Sequence, residues 1–420
     1  MLRSCFPDQW VRALARETGF LKRQRKVDVV AFFWTLVLGF GTGLHRTLAE
    51  LRRAYEASTG TMLVPSAFYD RFQPELCRFL RGAVAHACRT MAEPFEELKG
   101  RLASFTDLVL ADATVLRLHD LLEKAYQACR TNHTKAAMKL YLVLSVLAVS
   151  PRCVQLAPER THDSRLLRLG PWVQNRLLLI DMAHFYYQLL DRVDRNGGFF
   201  IIRVKDNANP LIVAEHLRLR GQKVPLVGAR LRDVLTRLQR GVLDVEVEVP
   251  VTRRVYRGRR RRDWRTFRLV GILNPDTREY HLYLTNIPPD RLEAQDVART
   301  YKARWEVELV FKELKSHYRL DDLPSSHRPV VEALVYTAIL TLVISRAILT
   351  ALRRAGGIAA TRSPERRWAA ALHTVAGLIL RLLCDPLPRR SEWAALQSYL
   401  LHEFLDPNVN RARNLGVCRA

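Results

Sequence analysis

Five short runs of aliphatic and β-branched residues constrain this chain more than any other feature. They are Asp107–Ala111, Lys139–Leu147, Cys153–Ala157, Leu177–Ile180 and Gly198–Val204, and each reads as a buried strand. A helical stretch, Ala183–Asn196, separates the last two. Buried strands mixed with helices predict an α/β core. Residues 1–100 and 353–420 read as helical regions flanking that core, which would occupy 101–205 and 291–352 around a β-rich segment at 206–290.

Two of the runs stop at an acid. Asp112 follows the run LVLA and precedes Ala113 and Thr114, and Asp181 follows RLLLI and precedes Met182, Ala183 and His184. An aspartate often ends a strand only because it suits a turn. A third acid gives the pair a purpose. In YKARWEVELVFKELK, Tyr301, Arg304, Glu308 and Lys315 stand at relative positions 0, 3, 7 and 14. On one continuous helix they point to roughly 0°, 300°, 340° and 320°, within an arc about 60° wide. Charges at such spacings are by default a solvated face. Here the stripe borders the apolar face of Val307, Val310, Phe311, Leu314 and Tyr318, with Trp305 and Leu309 on its other side, as along a cleft wall. A two-metal site needs carboxylates from elements distant in sequence. Asp112, Asp181 and Glu308 are therefore the candidate metal-ligating and catalytic residues. Trp305 has two open readings, packing against another protein segment or against a nucleic-acid base.

Charge names the partner. The 67 Lys and Arg against 42 Asp and Glu leave +25, a surplus that draws polyanions, DNA or RNA foremost. The β-rich segment holds the densest cations. Leu243–Val249 alternates apolar and acidic residues as a strand with one wet face, then come Arg253, Arg254, Arg257, Arg259, Arg260, Arg261 and Arg262, interleaved with Tyr256 and Trp264. Phe267–Leu273, a turn at Asn274–Asp276 and Tyr280–Ile287 complete it. Basic hairpins with aromatics suit phosphate contact and base stacking. Arg203 and Lys205, leaving the fifth strand, are placed for DNA contact too, though a solvated strand end explains them as well.

The remaining signals are plainer. Arg46–Ser58 reads as an amphipathic helix, with Ser66 as N-cap of the next; a helical hairpin or a DNA-reading helix–turn–helix would look alike. Seven scattered cysteines without a CxxC pair suit a reducing cytoplasm. No signal peptide is expected at the start. The apolar runs Val29–Leu44 and Ala333–Ser345 fall short of the roughly 20 residues of a membrane span and are expected as buried helices, the second within Val330–Leu352. His119, His184 and His317 lack metal-ligand spacing and read as surface or packing residues.

Tyr301, Arg304, Glu308 and Lys315 match, without a gap, the Tyr-x2-Arg-x3-Glu-x6-Lys signature of bacterial insertion-sequence DDE transposases of the IS-four family, which the chain resembles over about residues 60–350. Asp112-Ala113-Thr114 and the strand before Asp181 fit that family's aspartate contexts, and Lys139-Leu140, His162-Asp163, the run ending at Lys205 and Leu284-Thr285-Asn286 are similar to its other pieces. The chain departs from the pattern after the second aspartate, where Met182-Ala183-His184-Phe185 replaces an Arg/Ala-Gly-aromatic step and leaves the turn geometry open. The resemblance implies an RNase H-like core with a β-rich insertion. It also implies two Mg2+ ions, replaceable by Mn2+, on Asp112, Asp181 and Glu308, with Arg304, Lys315 and Tyr301 on DNA phosphates. The expected activity is cleavage at transposon ends and strand transfer on double-stranded DNA, by a homodimer in the bacterial cytoplasm, on the nucleoid when DNA-bound. Two rivals are a domesticated, inactive DNA-binding protein and a purely hydrolytic RNase H-like nuclease. The presence of all three acids speaks against the first. The number of grips on one DNA end speaks against the second.

Overall fold

In the computed structural model the described residues are 2–23, 26–91, 97–129, 134–148, 150–217, 224–252, 262–323, 325–385 and 390–405. The aliphatic runs do become strands, and they join with others into one sheet. Its strands are β1 (Asp107–Arg117), β2 (Ala137–Ser145), β3 (Ser150–Pro158), β4 (Arg176–Ile180), β5 (Phe199–Arg203), β6 (Leu211–Glu215), β7 (Val242–Thr252), β8 (Arg262–Leu273) and β9 (Tyr280–Thr285). The order across the sheet is β3-β2-β1-β4-β5-β9-β8-β7-β6. β1, β4 and β5 run parallel at its centre, and every other pairing is antiparallel.

The segment 206–290 is an insertion in chain order and an extension of the sheet in space. Its last strand, β9, pairs with β5 at Ile201↔Thr285, Ile202↔Leu284 and Arg203↔Tyr283. Thr285 and Asn286 fasten that junction: the Thr285 hydroxyl donates to the Phe200 carbonyl at 2.6 Å, and the Asn286 side-chain oxygen accepts from the Phe200 N–H at 3.0 Å.

Strand alternation sends residues to two faces. Val109, Ala111, Leu178, Ile180, Phe200 and Ile202 face a smaller core with the helix Tyr187–Arg195. Leu108, Leu110, Leu177, Leu179 and Ile201 face the main core, which also holds the N-terminal helices, the helix Trp305–Ser316, the long helix Arg328–Gly356 and the helix Glu365–Cys384.

Three sequence expectations need correction. Ser66 is not an N-cap: the helix Pro65–Tyr69 starts one residue earlier, on Pro65 with its preset φ, and Val64 precedes it. The apolar run at 333–345 is only the middle of a helix of 29 residues, long enough to cross a membrane, yet 89% of its apolar window is buried within the protein. The helix expected over Val330–Leu352 runs further at both ends, through Arg328 and Arg353–Arg354. Third, Tyr301 to Lys315 is not one continuous helix. A helix Ala294–Tyr301 ends in a 3-10 turn, Lys302–Arg304, before Trp305–Ser316 begins.

Candidate active site

Asp112 sits within β1, not at its end. β1 keeps its antiparallel pairing with β2 as far as Arg117↔Ala137, but its parallel pairing with β4 stops at Ala111↔Ile180. Asp112 is thus the first residue beyond β4's reach, and Asp181 is the residue that leaves β4. Adjacent strands lie about 4.7–4.9 Å apart, so the two aspartates stand side by side. Both share the parity of Leu110 and Leu179 and so face the main core. Asp181 caps the 3-10 turn Met182–His184, its carboxylate accepting the Ala183 N–H at 3.3 Å. The next strand adds a cation to the row. Ile202 pairs with Ile180, which places Arg203, exposed, one register step from Asp181.

Glu308 comes from across the cleft, and Arg304 joins it to the sheet. The Arg304 guanidinium donates to Glu308 at 3.0 Å and to Asp112 at 3.4 Å. The cleft, of about 560 Å3, is lined by Asp112, Ala113, Thr114, Glu308, Phe311, Lys312, Lys315, Ser316 and Asp321. Burial pushes the Asp112 carboxyl up to about 6; the Ala113 N–H and Arg304 oppose the rise, and the Asp181 and Asp163 charges add to it. The acids therefore lack positive charge, and Arg304 supplies part of it.

Among the described residues, no three His, Cys, Asp or Glu side chains are placed together as metal ligands. Arg304 stands between Asp112 and Glu308 instead. The donor set nonetheless fits a hard divalent cation in kind: it offers carboxylate oxygens, and the Asp181 charge adds to the need of buried Asp112 for a counter-charge.

The other signature residues brace the site. The Tyr301 hydroxyl donates to the Ile180 carbonyl, just before Asp181, at 3.3 Å, and its ring lies 5.2 Å from that of Tyr283. Burial pushes its phenol up to about 12. Lys315 donates to the Val115 carbonyl of β1 at 3.2 Å. Trp305 is 56% exposed and Leu309 45%, so both present much of their apolar surface to solvent. The 3-10 turn before Trp305 spoils a wheel drawn for one regular helix. Lys205 lies 6.0 Å from the Phe185 ring centre, and Arg262 opens β8 with its side chain exposed. Arg257, Arg259, Arg260 and Arg261 lie outside the described residues.

Sequence reasoning missed a polar cluster behind the aspartates. The Tyr141 hydroxyl shares a hydrogen bond of 2.9 Å with Nε2 of His184, which is fully buried. Burial pulls His184 down to about 4, so it is neutral. Lys139, two residues before Tyr141, meets Asp163 at 2.5 Å and donates to the Thr161 carbonyl at 2.8 Å. Lys139 and Asp163 were visible as family-like pieces, whereas nothing in the sequence pointed to Tyr141.

The model of the transposase DDE domain family matches residues 103–344, more than half of the chain. The transposase of insertion sequence element IS231B from Bacillus thuringiensis subsp. berliner is 21% identical over 385 residues, 82% of this chain and 78% of the relative. The putative transposase InsL of IS186A from Escherichia coli (strain K12) is 39% identical over 59 residues, 14% of this chain and 16% of that protein. Among solved structures, a piggyBac transposase synaptic complex with hairpin DNA is 12% identical, with a TM-score of 0.43, covering 96% of this chain and 83% of that one. With its matched region spanning all three acids and the sheet that carries two of them, the chain belongs to the DDE transposase family.

Proposed function

We propose that this protein cuts double-stranded DNA at the ends of an insertion element and joins those ends to target DNA, using Asp112, Asp181 and Glu308 on an RNase H-like core. One observation carries the reading: two aspartates adjacent in register face a helical glutamate, and a single arginine bridges the two sides. Family members of this kind use divalent metal ions. Two Mg2+ ions, or Mn2+ in their place, would be held by the three acids and would supply Lewis-acid stabilisation of the attacking and leaving oxygens.

This chain's residues do the rest. Arg304, released from the acids, has the fork to hold a phosphate in two directions. Lys315 and Tyr301 hold the strands that carry Asp112 and Asp181, and the lysine's charge stays within the cleft for DNA. Arg203, Lys205 and Arg262, with Arg257 and Arg259–Arg261, bind the DNA backbone, and exposed Trp305 meets a base. The N-terminal region 1–100 binds DNA, and the helices Glu365–Cys384 and Arg390–Glu403 belong to a C-terminal region, 353–420. The protein works as a homodimer on its DNA in the bacterial cytoplasm.

Incubation with element-end DNA and Mg2+ should yield cuts at the terminus. Asp112→Asn, Asp181→Asn and Glu308→Gln should each abolish cutting while DNA binding persists. Cutting retained by any one of them removes that residue from the site.

A further inference from the structure

The hydrogen bond between Tyr141 and His184 reaches from β2 to the turn after β4, with β1 lying between them. Two strand spacings make about 9.4–9.8 Å, a gap that a tyrosine and a histidine can close together. The bond crosses β1 at a defined place. Tyr141 is in register with Ala113, the residue after Asp112, and Ala113 packs on the same smaller core as Tyr141. His184 is the last residue of the turn that Asp181 caps. The link therefore runs behind the sheet, while Asp112 and Asp181 face the other side.

We propose that the Tyr141–His184 pair is a cross-brace that sets the spacing of the Asp112 and Asp181 carboxylates from behind the sheet, making both side chains positioning residues for the metal-holding pair. The proposal rests on the assignment of Asp112 and Asp181 as that pair. It accounts for three features together. His184 stands in the segment where the chain departs from its family's turn, so a different turn has gained its own anchor. The small side chain at 113 leaves room for the link to pass. The bond is fully buried, so water does not compete for it.

Tyr141→Phe removes one oxygen and keeps the ring. The test measures Mn2+ binding to the protein–DNA complex by electron paramagnetic resonance, the Mg2+ midpoint for cleavage, DNA affinity and the thermal midpoint. The brace predicts metal binding weakened roughly ten- to hundredfold, as for loss of an outer partner of a metal ligand, with DNA affinity unchanged. His184→Phe should do the same, the double variant should be no worse than either single one, and His184→Gln should restore part of the loss. Ala113→Leu, which blocks the crossing, should mimic it. Unchanged metal binding and Mg2+ midpoint in folded Tyr141→Phe overturn the brace. So does a loss that follows falling thermal midpoint and DNA affinity alike, and His184→Phe read with the same probes decides if Tyr141→Phe does not fold. Asp181→Asn separates the premises: if it keeps full Mn2+ binding, the assignment of the metal-holding pair fails. If it loses binding while Tyr141→Phe does not, only the brace fails.

Discussion

Arg304 makes two contacts that it cannot both keep while also holding a phosphate. In the DNA-free protein it neutralises Asp112 and Glu308. Arg304→Ala should therefore tighten Mn2+ binding without DNA, because the acids lose their internal counter-charge, yet weaken binding of the element end and slow cleavage by about a hundredfold or more. Arg304→Lys should recover little, since a point charge cannot bridge two acids as a fork does. Titration without DNA and a cleavage assay read the two effects separately. His184 gives a second residue-scale test. An unfolded histidine titrates near 6.5, while burial holds this one at about 4. The unfolded chain thus takes up a proton that the folded chain refuses. Stability from this group is complete above about pH 6.5 and is lost as pH falls toward 4, by about 3 kcal/mol. Denaturant melts at pH 7 and 4.5 should show that slope in the wild type and lose it in His184→Gln. The two aspartates stood out in the sequence because each follows an aliphatic run, and Glu308 because of the stripe it shares with Arg304 and Lys315. Trp305 stayed open between two readings because a helical wheel gives a direction and not a partner, and Tyr141 was hidden because a tyrosine in a buried strand looks like core.

At the scale of elements, the tightest fit joins the N-terminal helices to Arg328–Gly356. The helix Val29–Thr35 continues into a π-helical turn, Leu36–Phe40, and Gly41 follows. A Cβ on Gly41 would lie 1.8 Å from the Thr341 hydroxyl oxygen and 2.6 Å from the Val37 carbonyl oxygen. That same hydroxyl donates to the Val37 carbonyl at 2.8 Å. Gly41→Ala should therefore destabilise the protein by about 1–3 kcal/mol or more through overpacking, read as a lower thermal midpoint. Gly41→Ala with Thr341→Ala should regain part of it. The helices themselves were readable from apolar spacing, but their partners were not, because nothing local in residues 29–41 refers to residues 300 positions away. β1 shows the same limit. Its aliphatic part was read as ending at Ala111, whereas β2 holds the polar continuation in place as far as Arg117.

For the whole molecule, one sheet carries both the two aspartates and the basic extension, and a buried ion pair ties the extension to the signature helices. Arg268 grips Asp244 at 2.8 and 2.6 Å and donates to the carbonyls of Ile287, at 3.2 Å, and Leu292, at 2.6 Å, on the approach to the helix Ala294–Tyr301. Arg268→Ala would leave Asp244 buried and uncompensated, so a loss of about 3–5 kcal/mol is expected. Arg268→Ala with Asp244→Ala should be milder in the same melts. The sequence announced the β-rich segment by composition and alternation, yet the β5–β9 pairing that merges it with the core joins residues about 80 apart and left no local trace.

Chain order then gives this fold a timetable. The long helix that fills the main core is made some 300 residues after the helices it packs against, as the 304-residue span of the Thr341–Val37 bond records. At about 5–20 residues per second, ribosomal synthesis leaves Val29–Phe40 waiting roughly 15–60 s for its partner. Glu308 emerges only shortly before that helix. A product of interrupted translation ending near residue 300 holds two acids and no third, so it would meet DNA as an incomplete blade.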